Sequence, residues 1–392
     1  MRQMLAAILN ATWKPRKGFA VSKMEEEARR AKSGSRVWFN PSVRLSDVTA
    51  PSVGPKDLLV RVKACGICGS DLHMQETDAE GYMLYPGLTK LPVVIGHEFS
   101  GEVIQVGSGV SGFKAGDMVT AEEMWWCGEC DPCRTGYPNQ CLNLEEAGFT
   151  ADGGFAELIS VHQKYCWKIN GLLSAYGSED KAYEAGSLAE PTAVSYNALF
   201  IRAGGFKPGS NVVVYGAGPI GLSSIALAKA SGAEKVVCFD VSDPRLQIAS
   251  LVGADFAFNS EELAIKGIRP HEKVLEITGG AGADMQVEAA GAPDRTLPEM
   301  EKSLAIGGKI AVIGRADVLA PVYLESFQVR AGQIFGSQGH SGSGIFPNVI
   351  RLFASGKIDM TRIITRRYSL SEFGDAVKQA SKRVDAKITV KP

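Results

Sequence analysis

The stretch NVVVYGAGPIG at residues 211–221 decides the fold of this chain, because it reads as an apolar strand, a glycine turn and the start of a helix. Gly216 suits the tight turn, Gly218 lets a backbone approach a pyrophosphate, and Gly221 allows close packing of helix on strand. The positive end of the helix would face the phosphates. A GxGxxG string alone is a weak signal, but the strand before it and the helix after it predict a dinucleotide-binding site.

The sequence beyond this turn alternates helices with strands, which predicts an α/β fold with a doubly wound parallel sheet of the Rossmann type. Asp240 ends the next strand, where a carboxylate accepts hydrogen bonds from an adenosine ribose and repels a 2′-phosphate, so it favours NAD. Arg245 argues for NADP, because an arginine near the ribose can accommodate the extra phosphate. The predicted cofactor-binding residues are Gly216, Gly218, Pro219, Ile220, Gly221, Asp240, Arg245 and Gly314.

The 392 residues favour two domains, since one core rarely serves so long a chain. The first half reads as short strands separated by glycine and proline, which is typical of an irregular β-rich domain. We expect a catalytic domain over residues 1–195, a dinucleotide-binding domain over 196–338, and a return to the first domain over 339–392. The charged segment 14–36 reads as a solvated insertion helix, a surface elaboration.

Composition and charge narrow the class of partner. With 42 basic and 43 acidic residues, no net field favours nucleic acid or an anionic membrane. The apolar N-terminal run is much shorter than the roughly 20 residues that span a bilayer, and no cleavage site follows it. These features predict a cytoplasmic protein that binds a small molecule, with neither nucleic acid nor membrane as partner.

Four cysteines lie close together in CGECDPC at residues 127–133 and at Cys141. The spacing C-x2-C-x2-C-x7-C can close a tetrahedron of thiolates around one zinc ion. Because four thiolates leave no position for water, this lobe is predicted to be structural and not reactive. The predicted ligands of this structural zinc are Cys127, Cys130, Cys133 and Cys141.

A second set of metal-ligating residues is spread over separate segments. Cys68 offers a thiolate, His97 an imidazole, and Glu98 and Glu190 offer carboxylates, a mixture compatible with zinc. A reactive zinc usually takes three protein ligands and keeps one open position. Each residue alone has a structural explanation, and Cys65 with Cys68 could form a redox pair instead. Together with the dinucleotide motif and the cysteine lobe, however, the set predicts a zinc-dependent dehydrogenase.

Motifs along nearly the whole chain resemble those of the zinc-containing medium-chain alcohol and polyol dehydrogenases. They are CGSDLH at 68–73, GHE at 96–98, the cysteine lobe at 127–141, GGFAE at 153–157, EP at 190–191 and the glycine turn at 216–221. Glu98 and Glu190 are similar to the sorbitol and threonine dehydrogenase branch. A closer likeness, to cyclitol dehydrogenases of inositol catabolism, rests on TDAEGYMLYPG at 77–87, AEEMWWC at 121–127 and GSQGHSG at 336–342.

The resemblance implies a GroES-like catalytic domain, two zinc sites, NAD, and oxidation of a secondary hydroxyl of a cyclitol or polyol by a homodimer or homotetramer. It implies that Ser70 passes a proton from the alcohol toward the nicotinamide ribose and that His73 leads it to solvent. Trp125 and Trp126 are expected to pack around the cysteine lobe. The candidate substrate contacts are Glu122, Glu123, Gln338 and His340, the last of which could equally be a surface-loop residue.

Several alternatives remain open. One thiolate and two carboxylates would give the zinc site a net negative charge, so Glu98 and Glu190 are predicted not to be permanent ligands together. Within the family, a sorbitol, threonine, butanediol or aminocyclitol-pathway dehydrogenase has the same motifs. A non-catalytic dinucleotide-binding relative that has lost the catalytic metal is the alternative from another class. Cys68, His97, Glu98 and Ser70 argue against that last alternative.

Overall fold

The computed structural model describes residues 3–392, which form two compact units. The first holds the chain up to Glu190 with Arg366–Arg383 and Lys387–Pro392, and the second holds Pro191–Thr365 with Val384–Ala386. The chain therefore changes units at 190/191 and 365/366, and residues 384–386 belong again to the second unit. The domain boundaries expected from the sequence, at 195/196 and 338/339, stay predictions.

The first unit is built from short strands and short helices. Its strands are β1 (Gln3–Trp13), β2 (Arg30–Ala31), β3 (Trp38–Thr49), β4 (Asp57–Gly66), β5 (Thr89–Lys90), β6 (Val93–Val94), β7 (Glu98–Val106), β8 (Met118–Ala121), β9 (Met124–Trp125), β10 (Glu145–Glu146), β11 (Leu158–His162) and β12 (Cys166–Lys168). The helices up to the change of unit are α1 (Lys23–Ala28), α2 (Gly69–His73), α3 (Asp131–Arg134), α4 (Gly171–Tyr176), α5 (Glu179–Ser187) and α6 (Ala189–Tyr196).

The second unit alternates strands with helices, as the sequence predicted. Its strands are β13 (Asn211–Tyr215), β14 (Lys235–Asp240), β15 (Phe256–Asn259), β16 (Ala283–Glu288), β17 (Leu304–Val312) and β18 (Gln333–Gly336). Its helices are α7 (Pro219–Ala230), α8 (Asp243–Leu251), α9 (Ser260–Ile265), α10 (Pro270–Ile277), α11 (Pro293–Lys302), α12 (Leu324–Arg330) and α13 (Ile345–Ala354). The sheet has the order β15-β14-β13-β16-β17-β18, and all its neighbours are parallel.

Burial explains why the strands of the second unit are almost entirely apolar. Val213, Val237 and Ile310 lie on neighbouring strands and belong to one buried cluster with Val274 of α10 and Met300 of α11. A parallel sheet covered by helices needs apolar side chains on both faces, so its strands show no alternation of polar residues. The fold class predicted from the sequence is confirmed.

The end of the chain supplies the last elements, which are β19 (Ile364–Ser369), α14 (Phe373–Ala380) and β20 (Lys387–Lys391). β20 pairs antiparallel with β4, opposite Cys65 and Gly66, and Ile67 N donates to Ile388 O at 2.9 Å. The large sheet of the first unit therefore has the order β12-β8-β7-β4-β20-β19, with β11 also on β4. This register carries Lys387 to the segment that leads into Cys68.

Residues 14–36 differ from the expected single helix. Only Lys23–Ala28 is helical, with a capping box between Ser22 and Glu25, and a short strand and a 3-10 turn follow it. The other turns of this kind are the 3-10 turns Pro138–Gln140, Gln163–Tyr165, Met360–Ile363 and Leu370–Glu372 and the π turn Asn197–Arg202. Within residues 3–392, no helix combines the length and apolar character needed to cross a bilayer.

Candidate functional site

The four-cysteine lobe brings its sulfur atoms together. One sulfur from each cysteine lies within 4.8 Å of the other three. Backbone N–H groups of Glu129 and Cys130 each donate to Cys127 Sγ at 3.4 Å and lower the pKa of the Cys127 thiol to about 6. Burial raises the pKa of Cys133 to about 12. Four converging sulfurs with N–H donors aimed at them fit a closed zinc site.

Side chains next to the four-cysteine lobe pack around it and hydrogen-bond to its first residues. Glu122 is buried, and its carboxylate accepts hydrogen bonds from Trp126 Nε1 at 3.2 Å and Trp167 Nε1 at 3.0 Å. Lys164 Nζ donates to Trp126 O and lies 3.7 Å from the centre of the Trp126 ring. Tyr165 stacks on Trp125 with ring centres 5.9 Å apart. Glu122, a candidate substrate contact, therefore lies in the scaffold around the lobe.

A second cluster lies at the start of β7 and α2. Ligand atoms of Cys68, His97 and Glu98 lie within 4.8 Å of one another. Cys68 precedes α2, His97 precedes β7, and Glu98 is the first residue of β7. Gly96, with a φ of 97°, makes the approach possible, because a Cβ there would lie 2.6 Å from the Phe155 ring. Distant segments thus supply the thiolate and the imidazole that a catalytic zinc needs.

Asp71 organises this cluster, a role that its place in the sequence did not indicate. It is fully buried, accepts a hydrogen bond from Cys68 N at 2.8 Å, and has Oδ1 3.6 Å from His97 Nδ1. Ser70 Oγ lies 3.5 Å from the other imidazole nitrogen, Nε2. A carboxylate beside Nδ1 orients the ring and leaves Nε2 for a metal.

Glu98 is held by a buried ion pair. Lys387 Nζ lies 2.7 Å from Oε1 and 2.5 Å from Oε2 of Glu98, donates to Ile67 O at 3.0 Å, and is fully buried with Glu98. Burial raises the pKa of Glu98, Lys387 acts to lower it, and the nearby charge of Glu190 acts to raise it. Glu190 is buried in α6 and lies outside the Cys68, His97 and Glu98 group in the described chain. The two glutamates thus have different surroundings.

Cys65 and His73 lie on either side of this cluster. Cys65 is fully buried, and burial raises the pKa of its thiol well above its usual value, which disfavours a redox pair with Cys68. His73 is partly exposed, with Nε2 3.9 Å from Glu76 Oε2. Arg383 donates to both oxygens of Glu76 at 3.2 Å. His73 therefore lies at the surface end of α2, where a proton can reach solvent.

The glycine turn after β13 has the tight geometry that its residue types predict. Gly216 has a φ of 99°, and a Cβ on it would lie 2.7 Å from the peptide that joins Ala289 and Ala290. Gly218 precedes α7, whose first residue is Pro219, followed by Ile220. Gly221 lies against Gly216 O, where a Cβ has no room. The turn can therefore bring backbone N–H groups and the start of a 12-residue helix to a phosphate.

A cavity of about 460 Å³ opens beside this turn in the second unit. Gly216, Gly218, Asp240, Arg245, Arg269 and Arg295 are among its lining residues. The Asp240 carboxylate accepts hydrogen bonds from Ala217 N at 2.5 Å and from Val241 N and Ser242 N at 2.8 Å. Arg245 donates to Asp385 O at 2.9 and 3.2 Å. The sequence analysis missed two arginines of this cavity: Arg295, and Arg269, whose charge is paired with the Glu299 carboxylate that also lines it.

The remaining candidates lie on separate segments. Gly314 leaves room for the buried Glu288 carboxylate, which presses against it. Glu123 is buried between β8 and β9 of the first unit, where one of its carboxylate oxygens lies within 4.8 Å of an oxygen of Glu190. Gln338 and the fully buried His340 follow β18 in the second unit, and the His340 ring meets Phe346 edge to face at 4.8 Å. His340 is therefore no exposed loop residue.

Comparison with known proteins defines the class of this chain. Residues 54–171 match the alcohol dehydrogenase GroES-like domain, and residues 219–355 match the zinc-binding dehydrogenase domain. The chain belongs to the zinc-binding alcohol dehydrogenase family. It is accordingly an oxidoreductase of a family that acts on alcohol groups with zinc and a nicotinamide cofactor.

Several individual proteins are similar to this chain over most of its length. The scyllo-inosose 3-dehydrogenase of Thermotoga maritima is 45% identical over 387 residues, 96% of each chain. A solved structure described as an alcohol dehydrogenase from the same organism has a TM-score of 0.94 and 43% identity, covering 99% of this chain and all of that one. The L-threonine 3-dehydrogenase of Pyrococcus horikoshii is 34% identical, covering 83% of this chain and 87% of its own. A zinc-binding dehydrogenase of Sinorhizobium meliloti bound to NADP has a TM-score of 0.78 and 27% identity, with 99% of each chain covered.

Proposed function

We propose that this chain oxidises a secondary hydroxyl of a cyclitol, in the manner of a scyllo-inosose 3-dehydrogenase, with zinc and NAD. The observation that carries the reaction class is the convergence of Cys68, His97 and a buried carboxylate beside Ser70, in a chain that also has a dinucleotide turn. The 45% identity with a scyllo-inosose 3-dehydrogenase over 96% of the chain supports the choice of a cyclitol.

In this proposal the residues around the metal divide the work. Cys68 and His97 would hold the zinc, which would polarise a substrate hydroxyl and lower the pKa of that hydroxyl. Asp71 fixes the imidazole, and Ser70 beside it accepts the hydroxyl proton and passes it on toward His73 and solvent. Lys387 holds both oxygens of Glu98, so we assign to Glu190 the role of a zinc ligand or of the group that handles a proton.

We propose NAD as the cofactor because Asp240 lies at the end of β14, beside the glycine turn. The negative charge of the Asp240 carboxylate, close to the adenosine ribose, would repel a 2′-phosphate. Arg245 is the residue that favours NADP, although the Arg245 guanidinium already donates hydrogen bonds to Asp385 O. Comparing kcat/KM with the two cofactors measures this preference, and a higher value with NADP would contradict it.

The test of the substrate is NADH formation across myo-inositol, scyllo-inosose, sorbitol, threonine and butanediol, with zinc content measured on the same sample. We expect two zinc ions per chain and the highest kcat/KM on a cyclitol. The His97→Asn variant is the matched control, which should keep the four-cysteine zinc and lose turnover. Activity on acyclic substrates alone would leave the reaction class intact and refute the cyclitol.

A second candidate function is that of an acyclic alcohol dehydrogenase, such as a threonine dehydrogenase. The 34% identity with an L-threonine 3-dehydrogenase favours it. An aminocyclitol-pathway dehydrogenase is a variant of the cyclitol proposal. Adding an amino-substituted cyclitol to the substrate panel tests it. Absence of turnover on every alcohol, with both metals loaded, would favour a non-catalytic dinucleotide-binding protein.

A further inference from the structure

Residues 14–36, here called the insertion, fold onto residues 76–90, here called the wall segment. The family match begins only at residue 54, so the insertion lies outside it. The Arg16 guanidinium pairs with Asp78, contacts Glu80 Oε2 at 2.7 Å, and lies 4.0 Å from the Tyr82 ring centre. One arginine thus fastens the start of the insertion to the wall segment.

The C-terminal end of the insertion packs closely against the wall segment. Gly34 N donates to Gly87 O at 2.9 Å, and Ser33 Oγ donates to Pro86 O at 3.2 Å. A Cβ on Gly34 would lie 2.7 Å from Thr89 Oγ1 and 2.9 Å from the carbonyl oxygen that precedes Pro86. β2 of the insertion also pairs with β5 of the wall segment. Movement of one must therefore displace the other.

The wall segment in turn is linked to the metal cluster through Phe149, which contacts His97. Tyr85 N donates to His73 O at 3.0 Å, and Lys90 N donates to Phe149 O at 2.9 Å. The Tyr85 and Phe149 rings stack with centres 5.1 Å apart, and Phe149 meets the His97 imidazole at 4.8 Å. The imidazole thus has Asp71 beside its Nδ1 and an aromatic ring against its face.

We propose that the insertion is a brace for the catalytic metal site, with Arg16 as a positioning residue. Arg16 fixes the wall segment, the wall segment fixes the Tyr85 and Phe149 stack, and the stack fixes the plane of the His97 imidazole. A metal–nitrogen bond needs the ring plane to point at the metal, so supporting groups behind a ligand typically change metal affinity by about 10- to 100-fold. In this proposal the insertion, expected from the sequence to be a surface elaboration, supports the metal site. The inference rests on the proposed function only for the identity of the metal.

The test uses the full-length enzyme and the Arg16→Met variant, which removes the charge and keeps the length of the side chain. We expect the catalytic-site metal to be held about tenfold more weakly, measured by dialysis against a graded chelator series. The four-cysteine zinc serves as an internal reference that stays bound. With Co2+ at the catalytic site, the visible absorption bands should shift, because ligand geometry sets them. With substrate, kcat should fall while KM for the cofactor is unchanged.

Arg29→Met is the matched control, because Arg29 is also an insertion arginine but pairs with Glu26 and stacks over Trp13 within reach of α1. It should leave metal affinity and the Co2+ spectrum as in the wild type. Phe149→Leu removes the ring that touches His97 and should weaken the metal at least as much as Arg16→Met. Asp78→Asn repeats the test through the other partner of Arg16 in case the arginine variant folds poorly.

Wild-type metal affinity and an unshifted Co2+ spectrum in folded Arg16→Met or Asp78→Asn would overturn the brace, even if Phe149→Leu weakens the metal. A weakened metal in Arg29→Met equal to that in Arg16→Met would also overturn it, since the effect would then be a general loss of stability. The metal measurements need no substrate. A chain that fails to oxidise cyclitols therefore still tests the brace.

Discussion

Lys387 carries a charge into a fully buried position, where Glu98 is its counter-ion. Removing one partner of a buried pair leaves an uncompensated charge, which typically costs about 3–5 kcal/mol. We therefore expect Lys387→Met to lower the free energy of unfolding by an amount in that range, measured by urea denaturation. The double variant Lys387→Met with Glu98→Gln should recover part of the loss. A single variant as stable as the wild type would show that the pair does not stabilise the fold.

Glu288 supports the loops around the glycine turn. Its Oε1 accepts from Ala290 N at 3.1 Å and Ala292 N at 3.3 Å, and its backbone oxygen accepts from the N–H groups of Ile313 and Gly314 at 2.9 Å. A Gln side chain fills the same space and keeps one oxygen as an acceptor, but it places an amide N–H2 group at the Oε2 position, against the backbone of Gly291 and Gly314. We expect Glu288→Gln to weaken NADH binding about tenfold, or ~1.4 kcal/mol, measured by fluorescence titration.

The matched control for this change is Glu301→Gln. Glu301 is also buried in the second unit, and it accepts from Tyr323 N at 2.9 Å, away from the glycine turn. This variant should lose stability without losing affinity for NADH. Equal affinity losses in both variants would assign the effect of Glu288→Gln to general destabilisation.

At the residue scale, ligand types could be predicted from the sequence because their spacing is local. Cys127 to Cys141 span a short stretch, and Cys68 and His97 are chemically distinctive. Lys387 could not be predicted, since it lies 289 residues from Glu98 and a lysine in a strand is ordinarily a surface residue. Asp71 was read as part of a motif, and only the fold shows that it contacts His97.

At the scale of elements, α5 is tied to β19 and β20 by the buried Glu184. Arg367 donates to both oxygens of Glu184 at 2.7 and 2.8 Å, and Lys391 Nζ lies 3.1 Å away. Burial acts to raise the pKa of Glu184, but these hydrogen bonds outweigh it and lower the pKa. A carboxyl whose pKa is lower in the folded protein adds stability above its unfolded pKa of about 4.3. That stability is lost as the pH falls through the folded pKa.

We expect Arg367→Met to lower the free energy of unfolding by only about 1–2 kcal/mol at pH 7, because the Arg367 side chain is 47% exposed and water screens its charge. The difference from the wild type should shrink as the pH falls below about 4, measured by denaturation over a pH series. Lys378→Met, which breaks only the exposed pair with Asp375, should show no pH-dependent difference. A constant difference for Arg367→Met down to acid pH would contradict this origin.

The elements themselves differ in how far the sequence predicts them. The strands and helices of the second unit follow strong periodic patterns, so they could be read directly. The insertion could not, because its charged stretch fits a solvated helix as well as a segment held by Arg16 and Gly34. Arg16 of the insertion forms ion pairs with the wall segment, whose residues are distant in sequence.

At the scale of the whole molecule, the fold class followed from the order of strand and helix signals, but the path of the chain between the units did not. β20 belongs to the first unit because its residues pair with β4. α13 belongs to the second unit, where its buried Ile345, Phe346, Val349 and Phe353 lie. Apolar spacing shows that a helix has a buried face and does not show which core receives it.

The proposed homo-oligomer can be tested at the outer edge of the parallel sheet. Among the described residues, β18 pairs with β17 alone, and large apolar side chains crowd the segments around it. Ile334 of β18 is 45% exposed, Leu324 and Val329 of α12 are 68% and 71% exposed, and Leu319 is 98% exposed. An open edge strand offers free N–H and C=O groups, and proteins normally cover such an edge or place charges on it. A second copy of the chain can pair with it edge to edge and bury the apolar side chains.

We propose a homo-oligomer formed through this edge, and we therefore expect Ile334→Lys to lower the measured mass toward that of a monomer, by sedimentation or light scattering at a fixed concentration. A lysine on each copy places like charges opposite each other and removes apolar area from the contact. Ile265→Lys is the matched control, because Ile265 is 86% exposed on α9, which packs on β15 at the opposite edge of the same sheet. That variant should keep the wild-type mass. A wild-type mass for Ile334→Lys, or dissociation by Ile265→Lys alone, would assign the contact between copies to another surface.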